Sequence, residues 1–177
     1  MGHTDPAEGR MNRAPFPIDR LRELLAYDGD TGHLRWLVNR NKVRAGSVAG
    51  SVDQTGYVCV KIDRRILKAH RVAWAMTHGA WPKDQIDHIN GERADNMIAN
   101  LREASRSENL QNQRRPRSDN KTGYLGVNWQ TSDKRWRAQI KAAGRVIYLG
   151  QFTTPEAARD AYLAAKKQLH PFQTIVQ

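Results

Sequence analysis

The sequence predicts an α+β protein made of two modules joined by a basic linker, and three observations lead to this prediction. Short strand-like and helix-like segments alternate up to a polar, proline-broken stretch rich in arginine. After that stretch, three strand-like segments precede a helix whose N-cap is Thr154 and whose first turn contains Pro155. The sequence contains no internal repeat and no coiled-coil heptad. The predicted parts are a disordered leader (1–16), a first module (17–113), the linker (114–121) and a second module (122–172).

Composition limits the classes of protein that this chain can belong to. The 177 residues include 29 Lys and Arg against 18 Asp and Glu, a formal net charge of +11. Such an excess favours a polyanionic partner, with nucleic acid the first candidate. No apolar run is long enough to span a membrane, and the first residues lack a secretory signal. The single cysteine, Cys59, excludes a disulfide framework and a cysteine-based zinc site. We therefore expect a reduced, cytoplasmic protein without a membrane partner.

The first module reads as a helix, small hairpins and a second helix, followed by a strand–turn–strand–helix unit. Ile18, Leu21, Leu24 and Leu25 recur at helical spacing, which predicts a helix that the Asp28-Gly29-Asp30 turn stops. Residues 57–69 alternate as a hairpin that leads into a helix at 70–78. In the unit that follows, a strand at 85–89 enters the Asn90-Gly91 turn, and 101–104 can return as a second strand. Ser105 and Glu108 have the spacing of a capping box, which predicts a helix from Ser105 to about residue 113.

This last unit concentrates side chains that suit phosphodiester hydrolysis. His88 has a side chain whose usual pKa fits a general base, and Asp87 offers a carboxylate oxygen to a hard cation. Asn109, one turn inside the capped helix, offers an amide oxygen that can point back toward the strands. One difficulty is that neighbours on a regular strand face opposite sides. Asp87 and His88 can share a site only where the strand end is bulged or sharply twisted.

The spacing of these residues resembles the HNH nuclease motif, a ββα-metal finger, and most closely its phage homing-endonuclease branch. Asp87-His88 is followed after 12 residues by Asn100 and after a further 9 by Asn109. The resemblance covers about residues 18–113. It implies that His88 is the general base, that Asp87 and Asn109 bind one Mg²⁺ or Mn²⁺ per active site, and that Asn100 pins the loop and orients His88. It also implies 5′-phosphate and 3′-hydroxyl products, and no structural zinc.

The second module shows a strand with one basic face and one apolar face. Residues 135–141 alternate, with Trp136, Ala138 and Ile140 on the apolar side, and the alanine-rich helix from Pro155 can cover that side. The opposite face is left as a cationic surface that can enter a DNA groove. Together with the linker, this face gives the predicted DNA contacts: Arg114, Arg115, Arg117, Asn128, Arg135, Arg137, Gln139, Lys141 and Tyr148.

Most of residues 122–170 resembles the plant APETALA/ethylene-response-factor DNA-binding domain. The similarity is carried by the segments 123–127, 136–140, 148–154 and 156–162. Two groove-facing arginines of the plant pattern are replaced by Leu125 and Asn128, so base preference does not transfer from the plant family. The resemblance implies three antiparallel strands packed on one helix, with the sheet facing DNA.

These observations predict a metal-dependent endonuclease of phage or mobile-element origin that nicks or cleaves double-stranded DNA, acting as a monomer or weak dimer. An alternative is a DNA-binding regulator that carries an inert nuclease relic and binds without a divalent metal. A third class, a basic RNA-binding or ribosome-associated protein, leaves the spacing of Asp87, His88 and Asn109 without a role.

Overall fold

Short helices and strands alternate along the chain in the computed structural model, which describes residues 15–114, 116 and 119–173. Most of the predicted leader lies outside these residues, as do Arg115 and Arg117 of the predicted linker. The elements in chain order are α1 (Ile18–Leu24), β1 (Leu25–Tyr27), β2 (Leu34–Trp36), β3 (Ser51–Val52), β4 (Val58–Ile62), β5 (Arg65–Lys68), α2 (Ala69–His78), β6 (Gln85–His88), a 3₁₀ turn (Ile98–Asn100), β7 (Leu101–Ala104), α3 (Arg106–Gln111), β8 (Val127–Gln130), β9 (Arg135–Ala142), β10 (Arg145–Phe152) and α4 (Pro155–Leu169).

The strands of the described residues form small sheets, which confirms the predicted α+β class. β1 pairs with β2, β3 and β5 flank β4, β6 pairs with β7, and β8 and β10 flank β9. The predicted first helix ends at Leu24, before the Asp28-Gly29-Asp30 turn that was expected to stop it, because Leu25 adopts an extended conformation and pairs with Trp36 as the first residue of β1. A helix and a strand would both bury Leu25 in the core, so the spacing of apolar residues alone does not distinguish the two conformations.

Contacts divide the chain into two compact units. The first comprises the described residues up to Lys83 together with Arg93–Leu101, and the second comprises Asp84–Glu92 and the described residues from Arg102 onward. This division passes through the predicted first module (17–113). The domain boundaries that the sequence predicts stay predictions. Of the helices in the described part of the chain, none has the length and apolar character that a membrane span requires.

The first unit has an aliphatic core supplied by its helices and hairpins. Leu21, Leu25, Val60, Ile62 and Val72 are almost completely buried there. The apolar stripe of α1 and the inward-facing positions of β4 supply most of these side chains, as their helical and alternating spacings require. The core gives the small hairpins a common support.

The second unit contains a three-stranded antiparallel sheet packed on α4. Val127, Ala138 and Ala158 form its buried centre, which confirms that the alanine-rich helix covers the apolar side of the sheet. α4 begins as predicted: the side chain of Thr154 accepts a hydrogen bond from the Ala157 N–H, and Pro155 occupies the first turn. The same unit contains β6, α3 and most of β7, so the catalytic candidates Asp87, His88 and Asn109 belong to it.

Candidate active site

The strand–strand–helix segment β6–β7–α3 has the ββα order that the sequence predicted. Helix α3 is anchored by a capping box in which the Ser105 Oγ accepts from the Glu108 N–H at 3.3 Å and the Glu108 Oε2 accepts from the Ser105 N–H at 2.8 Å. These bonds satisfy amide donors at the start of the helix that otherwise lack partners. They lower the pKa of the Glu108 carboxyl, chiefly through its contact with Ser105. The cap therefore fixes where α3 begins relative to β7.

One face of α3 lies against one face of β6 through two side-chain pairs. Asn109 donates its Nδ2 to the Gln85 Oε1 at 2.8 Å. One turn later, the buried Asn112 places its Nδ2 3.0 and 3.2 Å from the two carboxylate oxygens of Asp87. The pairing follows from periodicity, since residues two apart share a strand face and residues three apart share a helix face. The structure thus places Asn112 on the Asp87 carboxylate, and Asn109 on the neighbouring Gln85.

The Asp87 carboxylate is buried and has an arginine partner. Only 5% of Asp87 is exposed, and Arg102 of β7 donates to its Oδ2 from Nε at 3.0 Å and from Nη2 at 2.8 Å. Burying a carboxylate charge is costly unless a charged, hydrogen-bonded partner replaces the lost water. The two carboxylate oxygens of Asp87 differ in their hydrogen bonds. Oδ2 accepts from Arg102 and Asn112, whereas the described contact of Oδ1 is the 3.2 Å bond from Asn112.

Arg102 in turn is held by the segment that follows α4. Its guanidinium carbon lies 3.5 Å from the centroid of the Phe172 ring, and its Nη2 also donates to the Phe172 carbonyl. A guanidinium stacked on an aromatic face keeps its planar fork in one orientation. Phe172 is 70 residues from Arg102 in sequence.

His88 ends β6 with a buried side chain, 4% exposed. Its carbonyl accepts from the Gly91 N–H at 2.9 Å and from the Asn112 Nδ2 at 2.9 Å. Gly91 has a φ of 77°, a left-handed conformation that favours glycine in this turn. Asp87 and His88 are therefore both buried at the end of β6. Asn112 bonds to the side chain of Asp87 and to the backbone carbonyl of His88.

Asn100 lies in the 3₁₀ turn before β7 and is 7% exposed. Its Nδ2 donates to the Asp95 carbonyl at 2.9 Å, within the loop that connects β6 to β7. This hydrogen bond connects Asn100, at the end of that loop, to Asp95 in its middle. The orientation of His88 by Asn100 stays a prediction.

The residues near Asp87 suit a hard divalent cation better than a soft one. Within the described residues, no three or more His, Cys, Asp or Glu side chains are grouped so as to hold a metal ion. Asp87 Oδ1 is the less engaged carboxylate oxygen, and the amide of Asn109 uses its nitrogen on Gln85, which leaves its oxygen as a donor atom. One carboxylate, one amide oxygen and waters match the ligands that Mg²⁺ and Mn²⁺ accept. Binding of Mg²⁺ or Mn²⁺ by Asp87 and Asn109 stays a prediction.

The predicted DNA contacts of the second module fall on one side of its sheet. Arg135 and Lys141 are exposed on β9, and Arg137 and Gln139 are partly exposed between them. The cross-strand register places Asn128 opposite Arg137, and Tyr148 opposite Gln139. Directly opposite residues of an antiparallel pair share a face. Arg137 lies over the Tyr148 ring at 5.2 Å, so the cationic and aromatic candidates are adjacent.

Arg114 lies elsewhere in the second unit. Its Nη2 donates to the Ile89 carbonyl at 2.9 Å, immediately after the catalytic candidates Asp87 and His88. The remaining two predicted contacts, Arg115 and Arg117, lie outside the described residues.

The sequence reasoning missed three residues that contact the site: Arg102, Asn112 and Phe172. Asn112 could have been found, because it is three residues after Asn109 and therefore on the same helix face. Arg102 carries no local signal of its partner, because Asp87 is 15 residues away on another strand. Phe172 carries no local signal, since its contact joins the end of the described chain to β7.

Comparison with known proteins points to nucleases for this part of the chain. A family model described as HNH endonuclease matches residues 67–111, from β5 to the end of α3, and supports a nuclease-type enzyme. The matched segment contains Asp87, His88, Asn100, Arg102 and Asn109, and ends one residue before Asn112.

A curated relative is protein 3.8 of Escherichia phage T7, which is 34% identical over 79 residues. The match covers 44% of this chain and 64% of the phage protein, so the chain spans less than two thirds of that relative. No solved structure matches the chain.

Proposed function

We propose that this protein is a metal-dependent HNH-type endonuclease that hydrolyses phosphodiester bonds in double-stranded DNA, and that it is encoded by a phage or a mobile element. The observation that supports it most is the buried Asp87 carboxylate, oriented by Arg102 and Asn112 and adjacent to His88 in a ββα segment. The match of that segment to the HNH family and the phage relative support the same proposal.

In the proposed mechanism His88 removes a proton from a water molecule, which attacks the phosphorus in line with the leaving 3′ oxygen. Asp87 and Asn109 would hold one Mg²⁺ or Mn²⁺, which would offset the charge that develops on the phosphate and on the leaving oxygen. Asn100 keeps the loop before β7 in place. The leaving 3′ oxygen takes up a proton from solvent water, so cleavage leaves a 5′-phosphate and a 3′-hydroxyl, and no zinc is required.

The second module is proposed to hold the DNA through its basic sheet face, in the manner of the APETALA/ethylene-response-factor domain. The exposed Arg135 and Lys141, the adjacent Arg137 and Tyr148, and the apolar side covered by α4 support this assignment. Because this face needs no metal, it also favours the second candidate function, a DNA-binding regulator with an inert ββα segment.

A supercoiled-plasmid assay separates the two functions. We expect the wild-type protein to convert plasmid to open-circular or linear DNA with Mg²⁺ or Mn²⁺ but not with EDTA. We expect His88→Ala to lose at least about a hundredfold in rate, because the general base is removed, while DNA affinity is retained. His33→Ala, at an exposed histidine of the first unit, is the matched control and should cut normally. Binding without conversion under every metal condition would favour the regulator.

A further inference from the structure

The C-terminal segment, here residues 166–173 at the end of α4 and in the turn after it, contacts the candidate site at two places in the second unit. Phe172 stacks its ring on the Arg102 guanidinium and accepts a hydrogen bond from it through its carbonyl, and Arg102 binds Asp87 Oδ2. Separately, the buried Lys166 of α4 donates its Nζ to the Gln113 carbonyl, one residue beyond Asn112. Arg102 and Asn112 are the described side chains that bind the Asp87 carboxylate, and each is held, directly or through its neighbour, by this segment.

We propose that Phe172 and Lys166 are positioning residues for the nuclease site, and that they act by fixing the Asp87 carboxylate through Arg102 and Asn112. This inference rests on the proposed function. It gives the C-terminal module a role in the metal-dependent step in addition to DNA binding.

The first contact controls the direction in which Asp87 presents its less engaged oxygen. Arg102 binds Oδ2 through two nitrogens, so rotation of its guanidinium moves the carboxylate with it. An arginine side chain has several rotatable bonds, and the ring and carbonyl of Phe172 restrict it to one orientation. Partners that orient a metal-binding carboxylate commonly change metal affinity or activity 10- to 100-fold when removed.

The second contact controls the end of α3. The Gln113 carbonyl follows the last turn of the helix, where backbone acceptors lack helical donors. Lys166 supplies such a donor from a site that is 6% exposed. Burial, with a smaller contribution from Arg114, lowers the pKa of the Lys166 ammonium. A buried ammonium directed at one carbonyl fixes that carbonyl more firmly than a surface lysine does, and Asn112 is the adjacent residue.

A third contact shows that the segment follows α3 closely. The Phe172 N–H donates to the Gln111 Oε1 at 3.4 Å, and the Gln173 Nε2 donates to the Lys166 carbonyl at 2.9 Å. Phe172 is thus attached to α3 and to β7 at once, and the turn after α4 is attached to α4 itself. The sheet face proposed for DNA takes no part in these contacts, so binding and positioning can be altered separately.

The test compares full-length variants in their metal dependence. Phe172→Leu removes the ring face and keeps the apolar bulk, whereas Phe172→Tyr keeps the ring. Lys166→Met removes the donor, and Lys167→Met on the exposed side of α4 is its matched control for charge. For each variant, the Mn²⁺ concentration that gives half-maximal plasmid cleavage, the Mn²⁺ dissociation constant by calorimetry and the DNA affinity in EDTA are measured.

We expect Phe172→Leu and Lys166→Met to raise the required Mn²⁺ concentration and the Mn²⁺ dissociation constant by about tenfold, with DNA affinity unchanged. Phe172→Tyr and Lys167→Met should stay within about twofold of the wild type. Equal metal dependence in all five proteins would overturn the proposal, as would a parallel loss of metal and DNA affinity, which indicates general unfolding.

Failure of the proposed function gives a different result. In that case the wild-type protein does not cut, and the calorimetric constants alone decide the positioning role. Weaker Mn²⁺ binding in Phe172→Leu but not in Phe172→Tyr would support it. Equal constants in all five proteins would overturn the positioning role. No Mn²⁺ binding by the wild type would overturn it together with the metal site.

Discussion

At the residue scale, Asn109 of α3 and Asn112, the C-cap residue of that helix, have different surroundings although they lie on the same helix face. Asn112 is 5% exposed and bonds to Asp87 and to the His88 carbonyl, so its side chain is part of the packed structure. Asn109 is partly exposed, and the described contact of its side chain is the hydrogen bond to Gln85. Asn112 therefore supports the packed structure and contacts Asp87 directly, whereas Asn109 is the residue that we propose as a cation ligand.

Replacement of each asparagine by alanine separates these roles. Asn112→Ala leaves the buried Asp87 and His88 acceptors without this donor, and we expect it to lower the free energy of unfolding by about 1–3 kcal/mol as well as the cleavage rate. Asn109→Ala should lower cleavage with a change of less than about 0.5 kcal/mol in unfolding. Urea unfolding and plasmid cleavage measure the two quantities. Equal stability of the two variants would contradict the assignment.

A second residue-scale prediction concerns Asp53, which organises a turn of the first unit. Its carboxylate accepts from Lys68 and, at 2.6–3.1 Å, from Thr55 and Tyr57. The Lys68 contact is the main reason that the pKa of Asp53 lies well below its usual 3.8. A depressed pKa stabilises the folded protein above about pH 4 and loses this effect as the pH falls further. The melting temperature of Asp53→Asn should therefore fall less than that of the wild type between pH 5 and pH 2.

The Asp53 comparison has a built-in control in Asp30, an exposed carboxylate of the same unit. Asp30→Asn should leave the acid dependence of the melting temperature as it is in the wild type. If Asp53→Asn behaves like Asp30→Asn, the Lys68 contact does not stabilise the folded state. Circular dichroism at several pH values provides the measurement.

At the element scale, the sequence predicted those features that depend on neighbouring residues. The capping box of Ser105 and Glu108, the Thr154 cap of α4 and the alternation of β9 are present, because each is encoded within a few positions. The ββα order followed from the same local signals. The contacts of Arg102 with Asp87 and Phe172 join residues 15 and 70 positions apart, and no local pattern carries that information. For the same reason composition did not indicate that Asp84–Glu92 groups with the C-terminal part.

The approach of α4 to the sheet depends on Gly126, which precedes β8. Its φ is 67°, and a Cβ there would lie 2.3 Å from the Tyr162 ring and 2.4 Å from the Gln139 carbonyl. We expect Gly126→Ala to lower the free energy of unfolding by more than about 2 kcal/mol, since it adds overpacking to backbone strain. Gly144→Ala is the matched control, with a φ of 76° and no atom within 4 Å, and should cost only the strain of about 1–2 kcal/mol. Equal losses in urea unfolding would show that α4 can move away.

At the scale of the whole molecule, the chain has 29 basic against 18 acidic side chains and one sheet face on which cations and an aromatic ring are adjacent. Charge of this kind strengthens DNA binding at low salt without reading sequence, because phosphate contacts release counterions. The alternation of β9 concentrates part of that charge at Arg135 and Arg137, on the side away from α4. The DNA affinity of the protein should therefore fall as the salt concentration rises. Part of this salt dependence should come from the basic face of β9.

The salt dependence of DNA binding tests this distribution of charge. With Arg114, Arg135, Arg137 and Lys141 on phosphates, the slope of log K against log[salt] should be about −4 or steeper. Arg135→Gln and Arg137→Gln should each make the slope shallower by about 1, because each removes one phosphate contact. Arg145→Gln is the matched control, since Arg145 pairs with Ala142 on the opposite side of the sheet and should leave the slope unchanged. Fluorescence anisotropy in EDTA measures binding without cleavage. If all three variants change the slope equally, net charge rather than the β9 face governs binding, and the DNA-binding role of the sheet is wrong.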